Sequence, residues 1–370
     1  MSSIHDLIAK LCPSGVCFKR LGDVARIKNG KDHKTLADGK YPVYGSGGIM
    51  RYANSYAYDK PSVLIPRKGS LDNLFFVDTP FWNVDTIFYT EIDEAQIYPK
   101  FFYYFLQTVG LGEMNQAGGV PSQTQSVLNE IKIPVPPIQI QAEIVRILDA
   151  MTSHTAELTA ELTARKKQYN YYRDKLLSFE DGEVEWKELG EICRFINGRA
   201  YKQPELLDSG KYPVLRVGNF FTNGNWYYSD LELDPDKYCD KGDLLYAWSA
   251  SFGPRIWEGE KVIYHYHIWK ILPDLNLVSK KYLYYLLAWD TEALKAESGT
   301  GSTMMHIGKG SIEKRLVPVP SLKKQAQIVS FLDKFDALTT SITEGLPREI
   351  ELRQKQYEYY REQLLDFPRS

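Results

Sequence analysis

Between residues 144 and 176 the apolar positions recur in alternating steps of four and three: Ile144, Leu148, Met151, Thr155, Leu158, Leu162, Arg165, Tyr169, Tyr172 and Leu176. That spacing is the narrow seam of a coiled coil, not the wider stripe of a helix lying on a globular core. Pro136-Pro137 ends the preceding strand and is tolerated at a helix start, so the helix is expected from there. A second seam runs Ile328, Leu332, Phe335, Thr339, Ile342, Leu346, then Ile350, Arg353, Tyr357, Tyr360 and Leu364. The steps through 342, 346 and 350 are both of four, and Gly345-Leu346-Pro347 sits there, so a kink or a short break is predicted. Each seam covers about 40 residues, roughly 60 Å of helix. Two exposed seams in one chain most simply pair with one another, and geometry alone leaves either orientation open.

The seams belong to a duplication. Ile133-Pro134-Val135-Pro136 with Gln141 returns as Val317-Pro318-Val319-Pro320 with Gln325, and Gln168-Tyr169-Asn170-Tyr171-Tyr172-Arg173 returns as Gln356-Tyr357-Glu358-Tyr359-Tyr360-Arg361. The offset between copies is 168 at Leu21-Gly22 and Asn29-Gly30, 181 at Tyr103-Tyr104, 184 at Gln141 and 188 at Tyr169. It grows in small steps, as it does when surface loops lengthen around preserved elements. Alternating apolar runs predict strands at Ser62 to Pro66, Thr86 to Thr90, Asp243 to Trp248 and Val262 to Trp269, with short helices at Lys100 to Leu106 and Lys280 to Leu287. The reading is an α+β protein: mixed α/β globular parts at 1–137 and 181–320, and long helices at 138–180 and 321–370.

Composition narrows the chemistry. The chain has 370 residues, 44% hydrophobic and 25% charged, with 26 tyrosines and a net charge of −2. That balance argues against indiscriminate coating of nucleic acid but leaves room for a local basic face. Cys12, Cys17, Cys193 and Cys239 form no spaced framework, so reduced thiols in a cytoplasmic protein are expected. No apolar run is long enough for a bilayer, and the N-terminus lacks the pattern of a signal peptide. No catalytic constellation is legible: Gly308-Lys309-Gly310-Ser311 only imitates the end of a phosphate loop, and no Asn/Asp-Pro-Pro-aromatic, H-E-x-x-H or G-x-S-x-G sequence occurs. His265 and His267 alternate along a predicted strand, but two ligands without a third are no metal site, and none is expected; half-buried histidines of an aromatic-rich strand, facing DNA, are the better account. What recurs is Gly-rich turns beside cations: Lys28, Lys31, His33, Lys34, Arg51, Arg67 and Lys68, then Arg194, Arg199, Lys202, Arg216, Arg255, Lys309 and Lys314. Backbone N–H groups in such turns suit phosphates, and Arg or Lys suits phosphates and guanine edges.

These residues lead to a resemblance. Cys12-Pro13-Ser14-Gly15-Val16 with Leu21-Gly22, Gly45-Ser46-Gly47-Gly48-Ile49, Pro66-Arg67-Lys68-Gly69-Ser70, Trp248-Ser249-Ala250-Ser251-Phe252-Gly253-Pro254-Arg255 and Gly301-Ser302-Thr303 resemble specificity subunits of type I restriction-modification systems. The two Pro-x-Pro to Gln-x-x-Ile-Val helix starts and their Tyr-Tyr-Arg ends carry the likeness most strongly, and it spans essentially the whole chain. The resemblance implies two target-recognition domains, each reading one half of a bipartite, asymmetric site in double-stranded DNA. It implies that the long helices pack as an antiparallel coiled coil with pseudo-two-fold symmetry. It implies partners: two methyltransferase subunits carrying S-adenosylmethionine, and restriction/translocase subunits. No cofactor, catalytic residue or membrane is expected for this chain. The expected DNA contacts are Lys31, Lys34, Arg51, Arg67, Lys68, Ser70, Arg199, Lys202, Arg216, Ser249, Ser251, Arg255, Ser302 and Thr303. The expected helix-pairing and docking positions are Ile144, Leu148, Leu158, Leu162, Tyr169, Tyr172 and Leu176 in one copy, and Ile328, Leu332, Phe335, Ile350, Tyr357, Tyr360 and Leu364 in the other. A coiled-coil interaction adaptor and a stand-alone DNA-modifying enzyme are the competing readings.

Overall fold

The computed structural model describes residues 2–368, apart from 115–118, 181, 222–223, 250, 298–306 and 342. The chain divides into two compact units, Met1–Thr159 with Glu349–Ser370, and Ala160–Arg348. Each unit therefore combines one globular part with pieces of both long helices.

In the first unit an antiparallel sheet runs in the order Ala25–Lys28, Ile87–Ile92, Ser62–Pro66, Phe75–Val77. A second sheet orders Gly48–Ala53, Asp38–Gly45 and Trp82–Asn83, the last two parallel. A two-stranded ribbon, Phe18–Arg20 with Lys132–Pro134, joins the globular part to the helices. The second unit repeats the plan: Cys193–Asn197, Ile268–Pro273, Leu244–Ser249 and Ser251–Ile256 in one antiparallel sheet, and Tyr227–Ser229, Tyr212–Leu215, Val262–Tyr264 and Tyr238–Cys239 in another. Its ribbon is Glu185–Glu188 with Leu316–Val319.

The strand expected at Ser62 to Pro66 forms as Ser62–Pro66, all five residues buried. The one expected at Val262 to Trp269 does not form as a single element. It divides into Val262–Tyr264, which pairs with Tyr212–Leu215, and Ile268–Pro273, which pairs with Cys193–Asn197. The chain changes sheet at His265–His267 through a turn in which Ile268 N donates to His265 O at 2.9 Å. Alternation persists across the change because Tyr264 and Ile268 are both fully buried, each in its own sheet. The two histidines are thus on a turn, not on one face of a strand. The helix expected at Lys280 to Leu287 runs on to Glu297.

The first long helix is Ile138–Leu177, 40 residues. Its half-buried positions Met151, Thr155, Leu158, Leu162, Arg165, Tyr169, Tyr172 and Leu176 keep the four-three spacing of the seam. The second is interrupted as predicted, Leu322–Thr340 and Gly345–Leu365; Ile342 lies outside the described residues. Gly345 has φ +79°, and a Cβ there would stand 2.4 Å from the Ala337 carbonyl oxygen, so the break requires glycine. Pro347 then falls in the first turn of the new helix, where its missing N–H costs little. Within the second unit Tyr172 packs on Phe331 with ring centroids 5.2 Å apart and Tyr169 on Phe335 at 6.4 Å, so these two helix segments run antiparallel. Within the first, Ile144 and Leu148 share one core with Tyr357, Tyr360 and Leu364. No helix among the described residues is long and apolar enough to cross a membrane.

Candidate nucleic-acid interface

A repeated polar framework ties each globular part to its helix. Buried Gln141 accepts from Tyr98 N at 2.7 Å and donates to Gln96 O at 3.1 Å and Pro136 O at 2.7 Å. Buried Gln325 accepts from Ser279 N and donates to Leu277 O and Pro320 O, each at 2.8 Å. About two turns on, Asp149 accepts from Tyr104 Oη at 2.5 Å and Lys100 Nζ at 2.7 Å. Asp333 likewise accepts from Tyr285 Oη at 2.5 Å and pairs with Lys281 at 3.0 Å. Burial, followed by these hydrogen bonds to a carboxylate, pushes both tyrosine hydroxyls well above their ordinary range. The Asn-Gly pairs of the sequence also do one job twice. A Cβ on Gly30 would lie 2.0 Å from Val84 O, and one on Gly198 2.3 Å from Tyr264 O. In both units the loop after the first sheet strand crosses directly over backbone.

At the loop end of the first unit, Ser46 N donates to Thr86 Oγ1, Asn73 Nδ2 to Ser46 O, and Gly69 N to Pro121 O, at 3.3, 2.8 and 2.9 Å. Arg67 N and Lys68 N both reach Thr86 O. These bonds gather four turns and set exposed Lys68 and Ser70 together, with half-buried Arg67 beside them, over Phe88 and within 3.5 Å of Asp85 O. Lys31 and Lys34 are exposed on the loop after Ala25–Lys28, where Trp82 Nε1 donates to Lys31 O at 3.1 Å. Arg51 is held within its own hairpin: its guanidinium binds Asp38 at 2.6 Å and Leu36 O at 3.1 Å.

At the corresponding end of the second unit, Arg199 N donates to Tyr264 O, Tyr266 N to Arg199 O, and His265 N to Leu215 O, at 3.0, 3.1 and 2.9 Å. Trp248 joins them through its N to His267 O and its Nε1 to Tyr266 O. Arg199, Arg216 and Ser249 therefore converge around the His265–His267 turn. Arg199 holds Glu205 in a two-pronged bond at 2.9 and 2.8 Å, which lowers that carboxyl to about 2, and it lies over Tyr201. Lys202 is exposed, and its backbone N–H binds the same carboxylate. Arg216, exposed, lies over Tyr227. Ser249 is buried, opposite Ser251 at the hairpin tip. Arg255 pairs with Leu245, four register positions from that tip, or roughly 13 Å, and rests on Phe220 and Phe221. It is not part of the cluster. Ser302 and Thr303 lie outside the described residues.

Sequence reasoning set these histidines on an aromatic-rich strand; they stand instead on a turn, over an aromatic floor. Tyr201 stacks on His265 at 6.3 Å and 26°, His267 meets Trp248 at 5.0 Å, and Tyr266 is 37% exposed at the surface. Burial, with the charges of His267 and Arg216, lowers His265 to about 4, so it is neutral at physiological pH. The buried Tyr201 hydroxyl has no hydrogen-bond partner among the described residues. The signal was the density of His and Tyr in 264–267, which the strand reading absorbed. Among the described residues no three His, Cys, Asp or Glu side chains are grouped as for a metal ion.

The family model described as the type I restriction modification DNA specificity domain matches residues 13–166 and again 182–352. A type I restriction enzyme specificity subunit of Escherichia coli is 38% identical over 300 residues, covering 76% of this chain and 74% of that one. A putative type I specificity subunit of Haemophilus influenzae is 34% identical over 377 residues, covering 96% of each. The fold is that of the S subunit of a type I system from M. genitalium, with a TM-score of 0.60 at 18% identity over 94% of this chain and 96% of that one. It is also that of a chain solved in work on type I R-M complex assembly, with a TM-score of 0.64 at 15% identity over 95% and 98%. Two matched domains, two repeated frameworks and relatives of one kind lead to one conclusion: the chain belongs to the type I restriction-modification DNA specificity family.

Proposed function

We propose that the chain reads a bipartite, asymmetric site in double-stranded DNA, one half with each unit, and scaffolds two methyltransferase subunits. The observation that carries this reading is the repeated framework. Gln141 and Gln325 fix two globular parts to their helices by the same three hydrogen bonds, while the loop ends beyond them are built from different residues. One scaffold presenting two different surfaces suits two different half-sites. The antiparallel run of Tyr169 and Tyr172 past Phe335 and Phe331 supports an antiparallel helix pair as the spacer, much as protein geometry sets half-site separation elsewhere.

In this reading Lys68, Ser70 and Arg67 contact one half-site, and Arg199, Arg216, Lys202 and Ser249 line the surface for the other, with Lys31 and Lys34 on flanking phosphates. Arg51 and Arg255 act through the fold. S-adenosylmethionine and the methyl-transfer chemistry belong to the methyltransferase partners, restriction to further subunits, and the assembly is cytoplasmic.

The test is to assay the purified chain alone and with its cognate methyltransferase subunit on a duplex library. The expected result is no methylation or cleavage by the chain alone, and methylation of a split motif by the complex. Methylation by the isolated chain would favour the stand-alone enzyme. Retention of the duplex insensitive to mutation in either half would favour the protein adaptor. Lengthening both helices by one turn should change the tolerated spacer and leave both halves intact.

A further inference from the structure

The two units differ at one place where the sequence makes them equivalent. In the second unit a groove of about 840 Å³ opens between the end of the Ile138–Leu177 helix and the start of the Leu322–Thr340 helix, lined by Tyr172, Leu176, Phe179, Val319, Lys324 and Phe331 among others. The offsets of the repeat convert these into Tyr360, Leu364, Phe367, Val135, Ile140 and Ile147 in the first unit. There Ile140, Leu364 and Phe367 are buried in the core and Tyr360, Val135 and Ile147 pack half-buried against it, together with Ile4, Leu7 and Ile8 of the helix Ser2–Leu11. Ile140 is 0%, Leu364 3% and Phe367 6% exposed, whereas Phe331 is 38% exposed and Lys324 is exposed. The residues corresponding to Ser2–Leu11 in the second copy are Asn170 to Phe179, already used as the end of the long helix. A helix that completes the first unit therefore has no counterpart in the second.

The charges differ as well. Lys175 and Lys324 stand on the groove, and Lys323 and Lys334 flank the adjoining patch that shares Phe331. Their counterparts, Gln363, Ile140, Gln139 and Ala150, are all uncharged. None of the four lysines forms an ion pair with a described residue. Of the acidic residues on the rim, Glu185 pairs with Lys187 at 2.7 Å, and Glu183 keeps its charge while accepting from Glu180 N at 3.0 Å, so the four lysines outnumber it. The place is shaped for a helix with aliphatic residues at i, i+3 and i+4, and its free charge calls for carboxylates beside them.

We propose that this groove receives an acidic amphipathic helix of the methyltransferase partner, so that the two pseudo-equivalent ends of the scaffold dock partners differently. The proposal rests on the assembly reading above. Its test uses the full-length chain and the cognate methyltransferase subunit, with dissociation constants measured at two salt concentrations. Reversing Lys175→Glu and Lys324→Glu together is expected to weaken binding about tenfold or more and to flatten its salt dependence. Phe331→Ala, which changes no charge, is expected to weaken it about fivefold. Gln363→Glu, the matching change where Ser2–Leu11 completes the core, is expected to leave binding unaltered. Melting curves check that the variants fold. If the unaltered chain binds no methyltransferase, both this proposal and the assembly reading fall. If it binds and the lysine and Phe331 variants bind as well as it does, the groove alone is overturned. Loss on Gln363→Glu equal to that on the lysine reversal would overturn the asymmetry.

Discussion

The helix-anchoring ends of the two units and their loop ends teach opposite lessons. At the anchors, Gln141 and Gln325, Asp149 and Asp333, Tyr104 and Tyr285 make the same bonds to within a few tenths of an ångström. At the loop ends, beyond the shared Asn-Gly crossing, the surfaces differ: Gly-rich turns pinned by Asn73 and Thr86 in one unit, an aromatic and histidine floor under Arg199 and Arg216 in the other. Anchors answer to helix packing, which is the same in both copies; loop ends answer to what each unit meets.

The largest blow to the shared framework is the loss of its glutamine. Gln141→Ala or Gln325→Ala leaves one buried carbonyl, and a partly buried N–H and carbonyl, without a partner, and should cost on the order of 2 to 4 kcal/mol in its own unit. Denaturant melts followed separately in the two units check this, and a small cost in either would mean that the clamps are not equivalent. Next comes Gly345→Ala, which must hold φ +79° against the Ala337 carbonyl; about 1 to 3 kcal/mol is expected, read as a lowered melting temperature. Asp149→Asn and Asp333→Asn keep the acceptor oxygen and lose the charge facing Lys100 or Lys281. At these half-exposed sites about 1 kcal/mol each is expected, equal in the two units.

A further effect separates the units by pH. His265 is lowered to about 4 from an ordinary value of 6.5, so the folded second unit favours the neutral ring. That stability is whole above about 6.5 and is lost as pH falls toward 4. Six of the seven tryptophans lie within Ala160–Arg348, leaving only Trp82 outside, so tryptophan fluorescence follows this unit. Acid titration should show it loosening in that window, and His265→Gln should blunt the change. An unchanged profile in the variant would remove His265 from the account.

Much of the framework was legible in the sequence because helix seams are periodic over many turns. The four-three spacing located both long helices, and Gly345 with Pro347 located the break. The turn at His265–His267 was not legible, since an apolar alternation reads the same whether a strand continues or passes into a neighbouring sheet. Nor does the sequence show what each cation rests on: Arg51 binds Asp38, Arg255 lies over Phe220 and Phe221, and Arg67 lies over Phe88. The role of Ser2–Leu11 was hidden for another reason: it completes one copy only, and a repeat is silent about what it does not repeat.

The central claim is that the units read DNA independently. The direct measurement is sequencing of the DNA methylated by the assembled complex, before and after residues 25–92 are exchanged for the same segment of a family member with a different site. The account predicts a motif in which one half changes while the other half and the spacer stay. A motif that changes in both halves, or in neither, would contradict it.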